Sequence, residues 1–301
     1  MYMVIDLKIV SALKRITEIY INKRNQQLQK KEEKKWINLF KGEDKVLHKL
    51  EEEIEIFLYK DSILSKLIYS GFEDNEIKFL IKYLNDSDIF IDIGSNIGLY
   101  AICAAMKLGP NGKVIAFEPT PATFKRLLEN VQINNFEERI IAKNIGLSDN
   151  RGIMKLNSFA DGYDAWNTFA LPSERFKGER IEVFVDTLDL FLEKSNLPTE
   201  KISLIKIDVE GWETFVIKGA KKILTPDNSP VLLVEFTEDY TFAAGTNCYE
   251  LYDLIKSYGY ELYTYKSETN ELIPEPKRIH YPYNNLIAIK NFEKVYDRIT
   301  K

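Results

Sequence analysis

Cysteine and histidine are close to absent: the 301 residues hold two of each. Cys103 and Cys248 lie far apart and belong to no CxxC pair and no Cys/His cluster with metal-ligand spacing. That excludes a disulfide scaffold and leaves both as small apolar residues of a reducing compartment. Long apolar runs are missing too. The stretch Pro230-Val231-Leu232-Leu233-Val234 falls far short of the roughly 18 residues that cross a bilayer. Lys and Arg are not in excess, the net charge being −5, so a surface that tracks nucleic-acid phosphates is not expected and a small or neutral substrate fits better. The N-terminal stretch carries Asp6 amid Val4, Ile5 and Leu7, with no basic opening and no small-residue cleavage site. This reads against a secretory signal and predicts a cytoplasmic location.

What is present divides in two. From Ile5 to about Tyr83 apolar residues recur at three and four, as in Ile9, Leu13, Ile16 and Tyr20 and again in Leu50, Ile54, Phe57 and Leu58, which predicts a helical N-terminal extension over residues 1–83. Lys8, Lys14, Arg15, Lys23 and Arg24 beside that stripe would suit self-association or a membrane surface as well as a solvated face. After Asp86 short β-branched runs alternate with helical stretches, the pattern of βαβ units. Residues 84–301 therefore read as an α/β domain with a mostly parallel, seven-stranded sheet and helices on both faces. The strands fall at 89–93, 113–118, 139–145, 203–208, 231–236, 260–265 and 285–290, and the helices at 97–108, 121–134, 212–224 and 247–258. Two further strands near 152–157 and 181–186 bracket a stretch from Ser158 to Gly178 that carries Tyr163, Trp166, Phe169 and Phe176. Its aromatics and length suit a lid, with Trp166 stacking on a substrate ring.

The run Ile89-Phe90-Ile91-Asp92-Ile93 leads into Gly94-Ser95-Asn96-Ile97-Gly98 and then an apolar helix, so strand, glycine turn and helix follow one another. Asp92 thereby sits at the carboxyl end of a strand, where ligands bind in open α/β sheets. A dinucleotide fingerprint would place a glycine where Asn96 stands, to let the backbone approach a pyrophosphate. A polar side chain obstructs that approach, whereas Asp92 can face the ammonium of an amino-acid cofactor. The pattern D-x-G-x-N-x-G thus points to S-adenosylmethionine. One βαβ step later, Lys113-Val114-Ile115-Ala116-Phe117-Glu118 ends in a carboxylate placed to accept both hydroxyls of a ribose, a role that serves NAD and S-adenosylmethionine alike.

With "FIDIGSNIGLY", "GKVIAFEPTPATFKRLLENV", "NIGLSD", "LIKIDVEGWETFVIKGA" and "PVLLVEF" in that order, the chain resembles the FkbM family of methyltransferases over roughly residues 67–290. The resemblance implies a class I methyltransferase (Rossmann-like) fold, S-adenosylmethionine as methyl donor, and transfer to a hydroxyl oxygen of a small molecule or saccharide. It also implies that Asp92, Gly94, Ser95, Asn96 and Gly98 form the cofactor loop, that Glu118 holds the ribose, and that Asn144 and Gly146 lie near the adenine. Gly146 departs from the Ala common at that position in the family.

Ser203-Leu204-Ile205-Lys206-Ile207-Asp208-Val209-Glu210 reads as a buried strand that delivers Asp208 and Glu210 at its carboxyl end. Methyl transfer from a sulfonium is an in-line displacement in which alignment supplies much of the rate. An alcohol still has to lose its proton, and a nearby carboxylate can take it. Asp208 is the first candidate base and Glu210 the second. The same two carboxylates have the chemistry of hard-cation ligands such as those of Mg²⁺, and Glu210 could instead cap the helix that follows. His280 has the pKa range of a neutral-pH base, although its setting, Ile279-His280-Tyr281-Pro282-Tyr283, reads as a loop. Glu235, ending the fifth strand, is a candidate substrate contact. Two alternatives share the fold: an NAD(P)-dependent oxidoreductase or epimerase, and a non-catalytic cofactor-binding module. Against the first stand Asn96 and the lack of a Tyr-x-x-x-Lys pair on a plausible helix. No DPPY-type tetrapeptide of amino-group methylation occurs.

Overall fold

The computed structural model describes residues 30–51, 54–159, 162, 164–170 and 178–301. The basic stripe from Lys8 to Arg24, and with it the expected membrane or self-association surface, lies outside these residues, as do Tyr163 and Phe176. The chain divides into two compact units between Val46 and Leu47. In the first, residues 30–39 are helical (α1), and Trp36 meets Phe40 edge-on with ring centroids 4.7 Å apart.

The helical expectation for the N-terminal extension fails between Lys45 and Tyr59. Strands β1 (Lys45–Glu51) and β2 (Ile54–Tyr59) form a two-stranded sheet there. Leu50, Ile54, Phe57 and Leu58 satisfy helical spacing, but Ile54, Ile56 and Leu58 alternate and are the residues driven to burial, so the period of two wins. The free backbone of β2 is met by side chains of α5 (Pro121–Ile133) and its cap: the Phe57 N–H donates to Asn130 Oδ1 at 2.7 Å and the Glu55 N–H to Asn134 Oδ1 at 3.0 Å. Helices α2 (Ile63–Tyr69) and α3 (Asp74–Tyr83) follow, with Ser62 capping α2 by accepting from the Ser65 N–H.

Among the described residues the main sheet has eight strands, not seven. Its parallel part runs β5 (Ile140–Lys143), β4 (Lys113–Phe117), β3 (Ile89–Ile93), β9 (Ile202–Ile207) and β10 (Val231–Phe236). All five residues of β3 and all six of β10 are buried, which is why these segments read as apolar runs rather than alternations, each broken only by the carboxylate near its end. Strand β13 (Asn284–Ile289) lies antiparallel to both β10 and β11 (Glu261–Lys266). The additional strand, β12 (Glu271–Pro274), closes the edge as a hairpin partner of β11. Proline ends it on the open side, where no ladder donor is lost.

Leu188 and Leu192 of α6 (Leu188–Lys194), Val216 and Ile217 of α7 (Glu213–Lys218), and Leu251 and Ile255 of α10 (Cys248–Ser257) share one core with Ile89, Ile91, Ile93, Ile205 and Ile207. On the alternate strand positions, α4 (Leu99–Lys107) packs on β3 and β4 and meets α3, which touches α11 (Phe292–Thr300). The helix expected at 212–224 breaks after α7 and resumes as α8 (Lys221–Leu224), and a short α9 (Glu238–Ala243) follows β10. A smaller sheet of β6 (Gly146–Leu147), β8 (Gly178–Asp186) and β7 (Gly152–Phe159) carries the aromatic stretch at its end. From β3 the chain builds outward through β4 and β5 on one side and through β9 and β10 on the other, so the order reverses between β3 and β9, the place where open α/β sheets bind ligands.

Candidate active site

At that reversal lies a cavity of about 390 Å³. Asp92, at the penultimate position of β3, is 1% exposed, and both its carboxylate oxygens lack a hydrogen-bond partner. Burial pushes its pKa up to about 6 despite the nearby Lys206 ammonium. The loop beyond it is pinned to β4: the Gly94 and Ser95 N–H groups both donate to Phe117 O, at 3.0 and 2.9 Å. Gly94 has φ +85°, and a Cβ there would lie 1.8 Å from Asp208 O, so no other residue lets the loop lie against β9. Gly94→Ala is expected to cost about 3 kcal/mol of stability, read as a lower melting temperature, because both the backbone region and the contact oppose it. A variant that melts with the wild type would show that the loop can move away from β9 freely.

Glu118 is the other wall of this half. Its Oε2 accepts from the Asn96 N–H at 3.1 Å and its Oε1 from the Thr120 N–H at 2.8 Å. Burial nonetheless raises its pKa to about 7. Asn96 holds φ +47°, a left-handed conformation that Asn tolerates, and its Nδ2 donates to Asp164 O at 3.3 Å. This ties the glycine loop to the short helical turn Asp164–Trp166, and through it Ala165, Trp166, Asn167 and Phe169 reach the cavity. An unpaired buried carboxylate facing one end, a second carboxylate with free lone pairs one strand away, and a bare main chain between them fit the amino-acid tail and ribose of S-adenosylmethionine.

The far half is acidic. Asp208 follows β9 and places Oδ2 2.7 Å from Lys206 Nζ. Lys206 is 3% exposed, stands beside Asp92 in the β3–β9 register, and lies 4.5 Å from the Tyr100 ring centroid. Burial opposes its charge, but the Asp208, Glu73 and Asp92 carboxylates outweigh that and hold its pKa above the ordinary lysine value. Glu210 sits in the turn after β9 with φ +54°. That turn is braced by Glu213, whose Oε1 accepts from the Val209 and Gly211 N–H groups at 3.0 and 3.2 Å, and by Thr168 Oγ1, which donates to Glu210 O at 2.6 Å. It is therefore Glu213, not Glu210, that ties this turn to the start of α7. Glu235, near the end of β10, accepts from Thr237 Oγ1 at 3.1 Å and is 4% exposed. Burial first, and neighbouring carboxylates second, raise the pKa values of Glu210 and Glu235 well above the usual range.

The cavity thus brings together Asp92, Gly94, Ser95, Asn96, Glu118, Gly146, Trp166, Asp208, Glu210 and Glu235. Three expected residues stand elsewhere. Gly98 caps α4 and packs on Leu127. Asn144 is exposed and its Nδ2 donates to Glu118 O and Pro119 O at 2.9 and 3.0 Å, bracing the strand end rather than lining the cavity. His280 is exposed on the segment before β13 and does not line the cavity, which removes it from the candidate bases. Sequence reasoning passed over Lys206, Tyr100, Tyr240, Tyr283 and Glu73. Of these only Lys206 carried a local signal, a lone cation in the apolar run of β9. Glu73 has φ +51° and gathers the Tyr100 hydroxyl at 2.6 Å, Asn285 Nδ2 at 2.6 Å and the Tyr283 hydroxyl. Among the described residues no helix is long and apolar enough to cross a membrane.

A doubly wound, mostly parallel sheet in which β13 and the edge strand β12 are reversed, and a ligand cavity over the glycine loop at its reversal point, define a class I methyltransferase fold. Residues 92–262 match the methyltransferase FkbM domain, more than half of the chain, and the chain belongs to that family. Its cofactor is S-adenosylmethionine. It is 32% identical over 159 residues to the hexuronic acid methyltransferase AglP of Haloferax volcanii, covering 52% of this chain and 59% of that protein. It is 29% identical over 165 residues to the methyltransferase sdnD of Sordaria araneosa, covering 46% of this chain and 62% of that protein. The match thus spans about three-fifths of the length of these relatives. The O-methyltransferase from Bacillus cereus in complex with S-adenosylhomocysteine is 15% identical, with 71% of this chain and 79% of that chain covered and a TM-score of 0.41.

Proposed function

We propose that the chain transfers a methyl group from S-adenosylmethionine to a hydroxyl of a small molecule or saccharide. The observation that carries this reading is the placement of the Asp208 carboxylate in the same cavity as Asp92 and Glu118. When bound, S-adenosylmethionine supplies an electrophilic methyl on a sulfonium. The chain's own residues do the rest. Asp92 faces the ammonium and Glu118 accepts from the ribose hydroxyls. Asp208 takes the proton of the acceptor hydroxyl through the oxygen that Lys206 leaves free, with Glu210 beside it as the second candidate. Trp166 offers an apolar face and Glu235 a hydrogen-bond acceptor to a polyhydroxylated ring, the combination that saccharide sites use. That AglP is a hexuronic acid methyltransferase supports the saccharide class.

Calorimetric titration with S-adenosylhomocysteine and with NADH, followed by a screen of hydroxylated acceptors for labelled methyl uptake, tests the reading. The nucleoside is expected to bind, NADH is not, and the affinity should depend on pH with a definite sign. Glu118 accepts ribose hydroxyls as a carboxylate, and its free-protein pKa is about 7. Binding that favours the ionised form weakens as pH falls below that value, by up to about tenfold per unit, and is flat above it until the cofactor's ammonium itself titrates. Binding of NADH alone would overturn the assignment.

A further inference from the structure

We propose that Asp208, Glu210 and Glu235 form a binding site for a hard divalent cation of the Mg²⁺ or Mn²⁺ class. The proposal deepens the methyltransferase reading of the same cavity and rests on it for its purpose, though not for its test. One carboxylate oxygen from each of the three residues lies within 4.8 Å of the others, the spread that a cation with oxygen bonds of about 2.0–2.5 Å spans. The residues come from two adjacent strand ends. Asp208 and Glu210 leave β9, and Glu235 lies near the end of β10, so the sheet itself fixes their separation.

A cluster of carboxylates alone would be weak ground, but two of the three have an unmet demand. Glu210 Oε2 and Glu235 Oε2 are each buried without a hydrogen-bond partner, and Glu235 is 4% exposed. Buried polar atoms are ordinarily satisfied, and one that is not calls for a ligand. Lys206 does not meet the demand: its ammonium donates to Asp208 Oδ2 at 2.7 Å but to neither of these two oxygens. The backbone is also arranged for the purpose. Glu210 is kept in a left-handed conformation by the Glu213 and Thr168 hydrogen bonds to its turn, and such strain collects at ligand sites. All-oxygen, acidic and incomplete, the donor set suits Mg²⁺ or Mn²⁺, which keep positions for water or a substrate oxygen.

The test is titration of the full chain with Mn²⁺, following the loss of the free-ion paramagnetic resonance signal, with S-adenosylhomocysteine binding read on the same sample. One Mn²⁺ per chain is expected, competed by Mg²⁺, and Glu235→Gln and Glu210→Gln should each weaken it at least about tenfold. Glutamine keeps the shape of a protonated glutamic acid, so each variant should melt cooperatively near the wild-type temperature without metal, which establishes that the variants are folded. A protein that binds the nucleoside but takes up no Mn²⁺ at millimolar concentration overturns the cation site and spares the methyltransferase reading. Uptake that is equal in wild type and both variants overturns it as well, since the ion then sits elsewhere. Failure to bind the nucleoside counts against the methyltransferase reading instead.

Discussion

Asp208→Asn is expected to lower the turnover number by roughly 10²–10⁴-fold, the range that a positioned base contributes, while S-adenosylhomocysteine affinity stays within about tenfold. The geometry explains why the two should separate. The groups that face the cofactor are Asp92 on β3 and Glu118 after β4, and the contact of Asp208 with that half is through its main chain, where its carbonyl closes on Gly94. Its side chain points to Lys206 and the acidic end. Asparagine keeps the shape and a hydrogen bond to Lys206 but cannot take a proton. Lys206 also retains the Glu73 and Asp92 carboxylates nearby, so the variant should fold. Steady-state kinetics on an acceptor from the methyl-uptake screen, with calorimetry alongside, reads both quantities. A large loss of nucleoside affinity with turnover preserved at saturation would make Asp208 a cofactor ligand instead.

This separation follows a difference in how the two halves of the cavity are written into the chain. The cofactor half is made of contiguous segments, each a strand with its following turn, so Asp92, Gly94 and Glu118 could be read from local pattern. The same holds for the parallel strands, whose full burial leaves apolar runs. The acceptor half is assembled at a distance. Glu73 comes from the start of α3, Tyr100 from α4, Lys206 from β9 and Tyr283 from the segment before β13, and no spacing along the chain announces their meeting. His280 had suitable chemistry and the wrong place, which only the path of the chain before β13 decides. The strands β1 and β2 depart from the helical expectation for another reason. Their apolar residues satisfy two periods at once, and pairing decided between them. Strand β12 is short and lies at an edge, where pairing leaves little trace in composition.

Lys206→Met should be the most destabilising single change in the cavity. In wild type one buried ammonium stands among Asp92, Asp208 and Glu73, with its Nζ over the Tyr100 ring. Methionine is unbranched and only one atom shorter, so the loss is chiefly one of charge rather than packing. Removing one partner of a buried ion cluster leaves the others uncompensated, a cost of about 3–5 kcal/mol. For a unit of this size that is on the order of 10 °C in melting temperature. The pH dependence distinguishes this cause from a packing defect. The native pKa of Lys206 is raised above its unfolded value, so its stabilisation is fully present below about 10.5 and is lost only as pH rises beyond that. The carboxylates set the acid limit: as pH falls through about 6, where Asp92 takes up its proton, the cluster loses negative charge and has less need of the ammonium. Without the ammonium, which lowers the Asp92 pKa, Asp92 takes up its proton at a higher pH in the variant than in wild type. The deficit should therefore be largest near about pH 9, shrink as pH falls toward about 6 and level off below it. A deficit that stayed the same at pH 5 would mean that Lys206 supports the strand by its methylenes, and that the acidic half of the cavity is already neutral in the native protein.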